Sequence, residues 1–283
     1  MSMNYTQKKR LTNGLFYILY VAIALIFLAP LVFLFVSSVK EETQLISDMS
    51  TIKAFVPYGK ITLDNYVQVF AKMDFLHYFK NSVLNTMMQV MLCMLINGMM
   101  GYALGLLEFR GRNFLISLMI ALTIIPTEAV IINRFMVAHS MNILNTLLVL
   151  TIPHLATPMY VYLFYQHFRG MPKDLMEAAV VDGASYTKIF FTIMTPLSKP
   201  IYATVAIMAF IRGWGDLLWP TLVTRDNTWR TLPQALRGLY DSQYTFYGQI
   251  FAFSAMVTLP ILVVFVCFQK QFVQSVAMSG IKG

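Results

Sequence analysis

Six apolar segments constrain the possible folds of this chain more than any other feature. They run over residues 15–36, 82–106, 114–136, 143–167, 201–223 and 249–269. Each is at least about 20 residues long, which as a helix crosses the ~30 Å hydrocarbon layer of a bilayer. A soluble domain could not bury so many runs of this length in one core. The sequence therefore predicts an all-α integral membrane protein with six transmembrane helices.

Composition agrees with a membrane protein. Hydrophobic residues make up 58% of the 283 residues and charged residues 12%, about half the charged fraction of a soluble domain. The net charge of +8 comes from scattered basic residues, which argues against nucleic-acid binding. Cys93 and Cys267 lie in apolar segments and are predicted to act as small hydrophobes. The first segment resembles a secretory signal, but it is too long and has no small-x-small cleavage site, so a retained anchor is expected.

The basic residues also predict the orientation. With a cytoplasmic N-terminus, the inside segments are 1–14, 107–113, 168–200 and 270–283, and they carry eleven basic and four acidic residues. The outside segments are 37–81, 137–142 and 224–248, and they carry eight basic and seven acidic residues. Because basic residues concentrate in cytoplasmic loops, both termini are predicted inside.

The outer segment 37–81 is too long for a simple connector. Within it, Leu63, Tyr66, Val67 and Phe70 recur at helical spacing, which predicts a short amphipathic helix lying at the outer membrane interface. The sequence shows no convincing internal repeat, so an inverted-repeat secondary transporter is disfavoured.

The inside segment 168–200 is predicted to form a helix-turn-helix. Pro172 suits a first helical turn, and good helix formers follow it as far as Gly183, a natural stop. Ser185 can cap a second helix, which Pro196 is expected to end. Small alanines within a charged rim suit docking of a soluble partner, although an amphipathic connector resting on the bilayer fits the spacing equally well.

A family resemblance separates these alternatives. In this segment Glu177-Ala178-Ala179 is followed after three residues by Gly183, then after nine residues by Ile193, and after one more by Thr195-Pro196. This pattern resembles the EAA loop of membrane subunits in binding-protein-dependent ABC importers. The likeness spans nearly the whole chain and is nearest to the carbohydrate, maltose-importer-like permeases: "DNYVQVF", "NSVLNT", "GYALGLLEFRGRN", "PLSKP", "FIRGWGDLLWP" and "SGIKG" resemble recurring segments of that subfamily. Thr195, Gly215 and Ser275 depart from its usual residues.

The resemblance implies a mechanical role without catalysis. The coupling residues that would dock on a cytoplasmic ATPase are Glu177, Ala178, Ala179, Asp182 and Gly183. The chain has no G-x-x-x-x-G-K-[ST] phosphate loop, so ATP and Mg are expected on a separate ATPase. The implied partners are a homologous second permease, two ATPase subunits, an extracytoplasmic solute-binding protein and the lipid of a bacterial-type inner membrane. The terminal segment resembles a tail that reaches between the ATPase subunits.

Polar and aromatic residues in the spans are candidates for the translocation pathway: Glu128, Trp214, Asp216 and Trp219. Buried ionisable groups in a membrane usually face a cavity or a partner. Glu128 could instead pair with Arg134. Arg212 and Asp216 are four residues apart, so a same-face helical pair is expected for them. Asn97, Asn133 and His154 are expected to be interhelical hydrogen-bond partners.

The outer loop 224–248 combines aromatic residues with three arginines. Trp229, Tyr240 and Tyr244 are candidate contacts for the solute-binding protein, since aromatic residues and arginine are enriched at interfaces. A plain solvated connector is the alternative.

Three classes of function remain distinguishable. The favoured one is a sugar-translocating permease subunit, with a permease for a non-sugar solute such as a glycerol phosphodiester as the alternative. A proton-coupled secondary transporter would rely on Glu128 and Asp216. A membrane-embedded enzyme has little support, because the four histidines are scattered and no H-E-x-x-H motif or paired carboxylates occur.

Overall fold

The computed structural model describes residues 5–240 and 246–280, with side chains over 13–240 and 246–269, and this part of the chain is helical. Its one β feature is an isolated bridge between Lys40 and Ile61. The α-helices are α1 Tyr5–Ser38, α2 Glu42–Asp48, α3 Asp64–Lys72, α4 Phe75–Leu106, α5 Arg112–Ile124, α6 Ile131–Ser140, α7 Leu147–Thr151, α8 Pro158–Arg169, α9 Asp174–Val181, α10 Tyr186–Ile189, α11 Thr195–Leu197, α12 Lys199–Gly215, α13 Leu218–Val223, α14 Leu232–Tyr240 and α15 Tyr247–Gly280. Short 3₁₀ turns cover Ile52–Phe55, Thr127–Val130 and Ile152–His154, and a π turn covers Phe190–Met194.

Within the described residues, three helical stretches are long and apolar enough to cross a membrane: Asn13–Ser38, Phe75–Leu106 and Tyr247–Gln269. Three bent helix pairs also pass this test together. Their bends are 96° for Arg112–Ile124 with Thr127–Ser140, 47° for Leu147–His154 with Pro158–Arg169, and 85° for Tyr186–Leu197 with Lys199–Gly215. The described part of the chain therefore has three to six candidate spans, and six only if each bent pair counts as one.

Three predicted segments, 114–136, 143–167 and 201–223, differ from continuous helices because each is interrupted. Proline explains each break. Pro126 cannot continue α5, since its ring would meet the carbonyl of the residue four earlier and its nitrogen donates no hydrogen bond. Pro158 keeps the preceding residue out of the helical region and begins α8. Pro220 likewise prevents α12 from running on through Asp216.

Buried polar side chains of α4 bind the interrupted backbone of the fourth predicted segment. The Asn97 amide donates to the carbonyl of Leu155 at 2.7 Å and accepts from the backbone N–H of Thr157 at 2.9 Å. Gln89 donates to the carbonyl of Leu150 at 2.9 Å. These bonds satisfy backbone groups that a broken helix leaves without internal partners. The expectation that Asn97 is an interhelical partner is confirmed.

The chain divides into two compact units, the first formed by residues up to Phe75 together with Leu236–Leu259. In this unit α3 confirms the predicted amphipathic helix, with Leu63, Val67 and Phe70 exposed. The Asn65 amide ties α3 to the end of α1 by donating to the carbonyls of Ser38 and Lys40 at 3.0 and 2.8 Å. The position of α3 at the outer membrane interface stays a prediction.

A buried ion pair organises the loop after α1 in the same unit. Lys40 is fully buried, and its Nζ lies 3.0 Å from Oδ2 of Asp48 and donates to the carbonyl of Lys53 at 2.7 Å. The hydroxyl of Tyr58 donates to the other oxygen of Asp48. This hydrogen bond, together with the bond and charge of Lys40, lowers the pKa of Asp48. A buried ammonium requires such pairing, because desolvating an unpaired charge is costly.

The second unit comprises Leu76–Ala235 and Pro260–Gly283. Its helices α4 and α8 pack closely through glycines: a Cβ on Gly105 would lie 2.7 Å from Cβ of Phe168. Leu104, Val161 and Tyr165 form a buried cluster at this crossing. Small residues allow such close approach between membrane helices. This packing holds α4 and α8 in close contact.

Candidate coupling and translocation sites

The loop 168–200 contains the predicted helix-turn-helix. Its first helix, α9, ends in a Schellman motif: the N–H of Gly183 donates to the carbonyl of Val180, and the N–H of Ala184 donates to that of Ala179. Gly183 has a φ of 80°, which a residue with a Cβ adopts only with strain. The predicted glycine stop is therefore confirmed, and its reason is backbone geometry.

The five predicted coupling residues occupy the end of α9, but they do not share one surface. Glu177, Ala178, Asp182 and Gly183 are exposed, whereas Ala179 is 8% exposed and faces inward. Val181 is 86% exposed. This end of α9 thus presents small, acidic and apolar residues together, which suits close approach by another protein. Their part in coupling stays a prediction.

The second helix of the loop is longer than expected. Ser185 caps it as predicted, with its Oγ accepting from the N–H of Lys188 at 3.3 Å. The helix does not stop before Pro196 but runs through a π turn, Phe190–Met194, to Leu197. The widened turn directly before the proline relieves the clash that a regular α-helix would create there. The 85° bend follows at Ser198.

Buried contacts connect the loop to the helices behind it. Ile189, Phe190 and Met194 are at most 2% exposed, and the hydroxyl of Tyr102 on α4 donates to the carbonyl of Tyr186 at 3.2 Å. At the bend, Ser198 is fully buried beside His167, whose Nε2 is 3.0 Å from its Oγ. The second helix is therefore seated in the core rather than lying loosely on the surface.

Thr195, which departs from the family pattern, makes a polar contact in this structure. Its Oγ1 is 3.3 Å from the hydroxyl of Tyr202 on α12. The contact joins the helices on either side of the bend at Ser198.

An ion pair joins the loop to the segment 107–113. Nζ of Lys173 lies 3.0 Å from Oε1 of Glu108, and both side chains are exposed. The hydrogen bond and charge of Lys173 lower the pKa of Glu108. Exposed pairs of this kind contribute little stability. Beside it, a surface pocket of about 390 Å³ is lined in part by Lys173, Met176 and Glu177.

Three of the four predicted pathway residues line one pocket of about 340 Å³: Glu128, Asp216 and Trp219. Arg134, His154 and Arg212 line it with them. The pocket lies where the predicted spans are interrupted. Glu128 follows the break at Pro126, His154 precedes the break before α8, and Asp216 follows the end of α12.

The expected helical pair of Arg212 and Asp216 does not form, because α12 ends at Gly215 and Asp216 has extended backbone. Oδ1 of Asp216 instead accepts the backbone N–H of Trp219 at 3.2 Å, and Oδ2 lies 3.5 Å from Nε2 of His154. Arg212 donates to the Thr157 hydroxyl at 3.4 Å. The Glu128 carboxylate accepts from the Thr127 hydroxyl at 3.0 Å.

The two candidate tryptophans have different surroundings. Trp219 is 3% exposed, and its indole N–H donates to the carbonyl of Val149 at 2.8 Å, so only its ring borders the pocket. Trp214 lies outside the pocket lining. Its ring is buried, stacked on Phe210 and edge-on to Phe79. The part of Trp214 in the pathway stays a prediction.

The candidate contacts for a binding protein are separated between the two units. In the second unit, Trp229 is half-buried and packs on a cluster that includes Trp219 and Val223. Tyr240 ends α14 and is 54% exposed. Tyr244 lies outside the described residues. Their role stays a prediction.

Sequence reasoning gave Arg134, Arg212 and His154 only structural roles. It also missed the polar face of α4, apart from Asn97. The signal for that face was present, because Asn81, Asn85, Gln89, Cys93 and Asn97 recur every four residues in an otherwise apolar helix. Such spacing places polar groups in one line that can serve a neighbouring broken helix.

Comparison with known proteins gives relatives over nearly the full length. The chain is 34% identical over 96% of its length to the arabinooligosaccharides transport system permease protein AraQ of Halalkalibacterium halodurans, covering 96% of that protein. It is 27% identical to the lactose transport system permease protein LacG of Rhizobium radiobacter, over 95% of this chain and 96% of that one.

A solved structure has the same fold. The crystal structure of a bacterial ABC transporter involved in the import of the acidic polysaccharide alginate contains a chain that matches with a TM-score of 0.81 at 20% identity, covering 95% of this chain and 99% of that one. Residues 97–278 also match the family described as binding-protein-dependent transport system inner membrane component. This match includes the loop 168–200 and the interrupted spans that form the pocket. The chain therefore belongs to the family of binding-protein-dependent transport system inner membrane components.

Proposed function

We propose that this chain is the transmembrane subunit of an ATP-driven importer for a sugar or oligosaccharide. The observation that carries the proposal is the 34% identity, over 96% of both chains, to a permease named for arabinooligosaccharide transport. The lactose relative extends the same substrate class to a second sugar. These relatives favour a sugar over a glycerol phosphodiester or a proton-coupled mechanism.

The chain crosses the inner membrane six times, with both termini inside. The excess of basic residues in the inside segments supports this orientation. The bent pairs Arg112–Ile124 with Thr127–Ser140 and Leu147–His154 with Pro158–Arg169 then each count as one crossing, the segment 201–223 is another, and the loop 168–200 faces the cytoplasm. The breaks around the pocket support this arrangement, because irregular backbone at membrane depth is tolerated where it lines a cavity.

Coupling to ATP occurs through α9. Glu177, Ala178, Asp182 and Gly183 dock on a separate ATPase subunit, which binds ATP and Mg, so this chain is not itself an enzyme. The helical stretch from α10 to α11 supports the proposal, because its buried face packs against α4. Through this contact, a displacement of the loop would be carried into the membrane helices. Bistable packed elements transmit such displacements as rigid movements.

The working complex contains this chain, a homologous but non-identical permease, two ATPase subunits and a solute-binding protein on the outer face. The apolar surface of α1, whose residues 13–28 are all exposed in this chain, supports a requirement for lipid or a second permease around it. Mass spectrometry of the intact complex tests the composition, and a functional homodimer would contradict it.

Transport itself is tested by purifying the chain with its co-expressed neighbours and reconstituting it in vesicles. Uptake of arabinotriose or lactose is expected only when ATP, the ATPase and the sugar-loaded binding protein are all present. Leaving out each component in turn supplies the controls. Uptake that persists without the ATPase and follows a proton gradient would contradict the proposal.

A further inference from the structure

The pocket of about 340 Å³ gathers all the charge that the apolar segments contain. The six segments of the sequence hold only four Asp, Glu, Lys or Arg residues: Glu128, Arg134, Arg212 and Asp216. All four line this pocket. Charged residues within a membrane are costly and face a cavity or a partner. Their convergence on a cavity large enough for a small ligand indicates a binding site.

His154 gives an independent indication that the pocket binds a polar ligand. It is 8% exposed and lines the pocket, and neither ring nitrogen has a hydrogen-bond partner among the described residues. Its Nε2 lies 3.5 Å from Oδ2 of Asp216. Buried polar groups in native proteins are nearly always hydrogen-bonded. A hydroxyl group can donate to or accept from either tautomer of this imidazole.

The balance of charge indicates which ligand fits. Within the described residues, Arg134 and Arg212 have no carboxylate within 4.0 Å, so their guanidinium donors are not consumed by ion pairs. Glu128 and Asp216 supply acceptors to the same cavity. Two cations and two carboxylates together match a ligand that carries many hydroxyls and no net charge, since each hydroxyl both donates and accepts.

An acidic ligand fits less well. A uronate or phosphate would gain from the arginines but would bring its charge close to Glu128 and Asp216, and like charges repel. The ring of Trp219 adds an apolar wall of the kind on which a sugar ring packs.

We propose that this pocket is a saccharide-binding site within this subunit, which takes an uncharged sugar through hydroxyl hydrogen bonds to His154, Arg212 and Asp216. The inference rests on the proposed function and adds to it the place and the chemistry of sugar recognition. A sugar bound there would sit at the breaks of three spans, where the backbone can change as the complex opens and closes.

Thiol labelling of the intact reconstituted complex tests occupancy of the pocket. Gly215 lines it, and a Cβ at that position would meet no heavy atom within 4 Å. Gly215→Cys is made in a Cys267→Ser background, because Cys267 is exposed and Cys93 is buried. Gly238→Cys in α14, where a Cβ also meets nothing within 4 Å, is the matched control.

Free arabinotriose and lactose, at rising concentration, are expected to slow maleimide labelling of Gly215→Cys several-fold and to leave Gly238→Cys unchanged. Digalacturonate is the charged probe and is expected to protect only at higher concentration. If digalacturonate protected at a lower concentration than either neutral sugar, the proposal that the pocket takes an uncharged sugar would be overturned. Labelling that neither neutral sugar slows would overturn the site.

Transport kinetics provide the second readout. His154→Phe is expected to raise KM for uptake about tenfold, the effect of one lost hydrogen bond, with kcat nearly unchanged. His139→Phe, at an exposed histidine outside the pocket, should leave both constants unchanged. An unchanged KM in both His154→Phe and Arg212→Met, in a complex that does transport, would overturn this inference alone. A wild-type complex that transports neither sugar would overturn the proposed function and this inference with it.

Discussion

At the scale of single residues, Gly183 carries the sharpest constraint in the coupling loop. Its φ of 80° ends α9 and aims the chain into α10. Replacements of Gly183 should destabilise the protein according to how poorly each side chain tolerates a left-handed backbone. Asn should be the least harmful, Ala worse and Val the worst. Ala is expected to cost about 1–2 kcal/mol locally. The unfolding temperature and the sugar uptake per ATP hydrolysed are to be measured for each of these variants.

Gly238→Ala is the control for this series, because Gly238 is helical and has no positive φ. It should be neutral or slightly stabilising, since Ala is the better helix former. If the three Gly183 variants had equal unfolding temperatures and equal coupling, backbone geometry would not explain this glycine.

Local chemistry explains which residues could be predicted. Gly183 and Ser185 were predictable because a helix stop and a helix cap depend on their own side chains and backbone. The Arg212–Asp216 pair was mispredicted because four-residue spacing means proximity only inside a helix, and α12 ends at Gly215. His154 needed the tertiary structure, since nothing local shows that its nitrogens face a cavity without partners.

At the scale of elements, the interruptions matter more than the helices. Apolar length predicted where the spans lie, but it gave no account of how a broken span satisfies its backbone. Asn97 answers this for the fourth span by binding both Leu155 and Thr157. The prolines were visible in the sequence, yet their consequence depended on a polar partner on a distant helix.

Asn97→Ala should therefore destabilise the protein by about 1–3 kcal/mol, because it leaves the partly buried carbonyl of Leu155 and N–H of Thr157 without this partner. Thermal unfolding in detergent measures the loss. Asn133→Ala is the matched control: Asn133 lies in α6 and its side chain is exposed, so little change is expected. Similar unfolding temperatures for both variants would show that Asn97 does not hold the break.

At the scale of the whole molecule, the fold and the transport class were accessible from the sequence, whereas the solute was not. The loop pattern and the six apolar segments pointed to an ABC permease, and the family match agrees. The pocket residues come from three separate segments that meet only after folding. Their convergence cannot be read from spacing along the chain.

The central claim is that α9 connects a separate ATPase to sugar passage through this subunit. The most direct test measures ATP hydrolysis and sugar uptake together in the same vesicles for wild type, Glu177→Lys and Glu41→Lys. Glu41 is a partly exposed acid in the other compact unit, and it serves as the charge-matched control because its ion pair with Lys60, at 3.3 Å, is solvent-exposed and contributes little stability. Reversing the charge at Glu177 should cut uptake about tenfold or more by repelling the docking surface, whereas Glu41→Lys should behave like wild type. Wild-type uptake by Glu177→Lys would contradict the account.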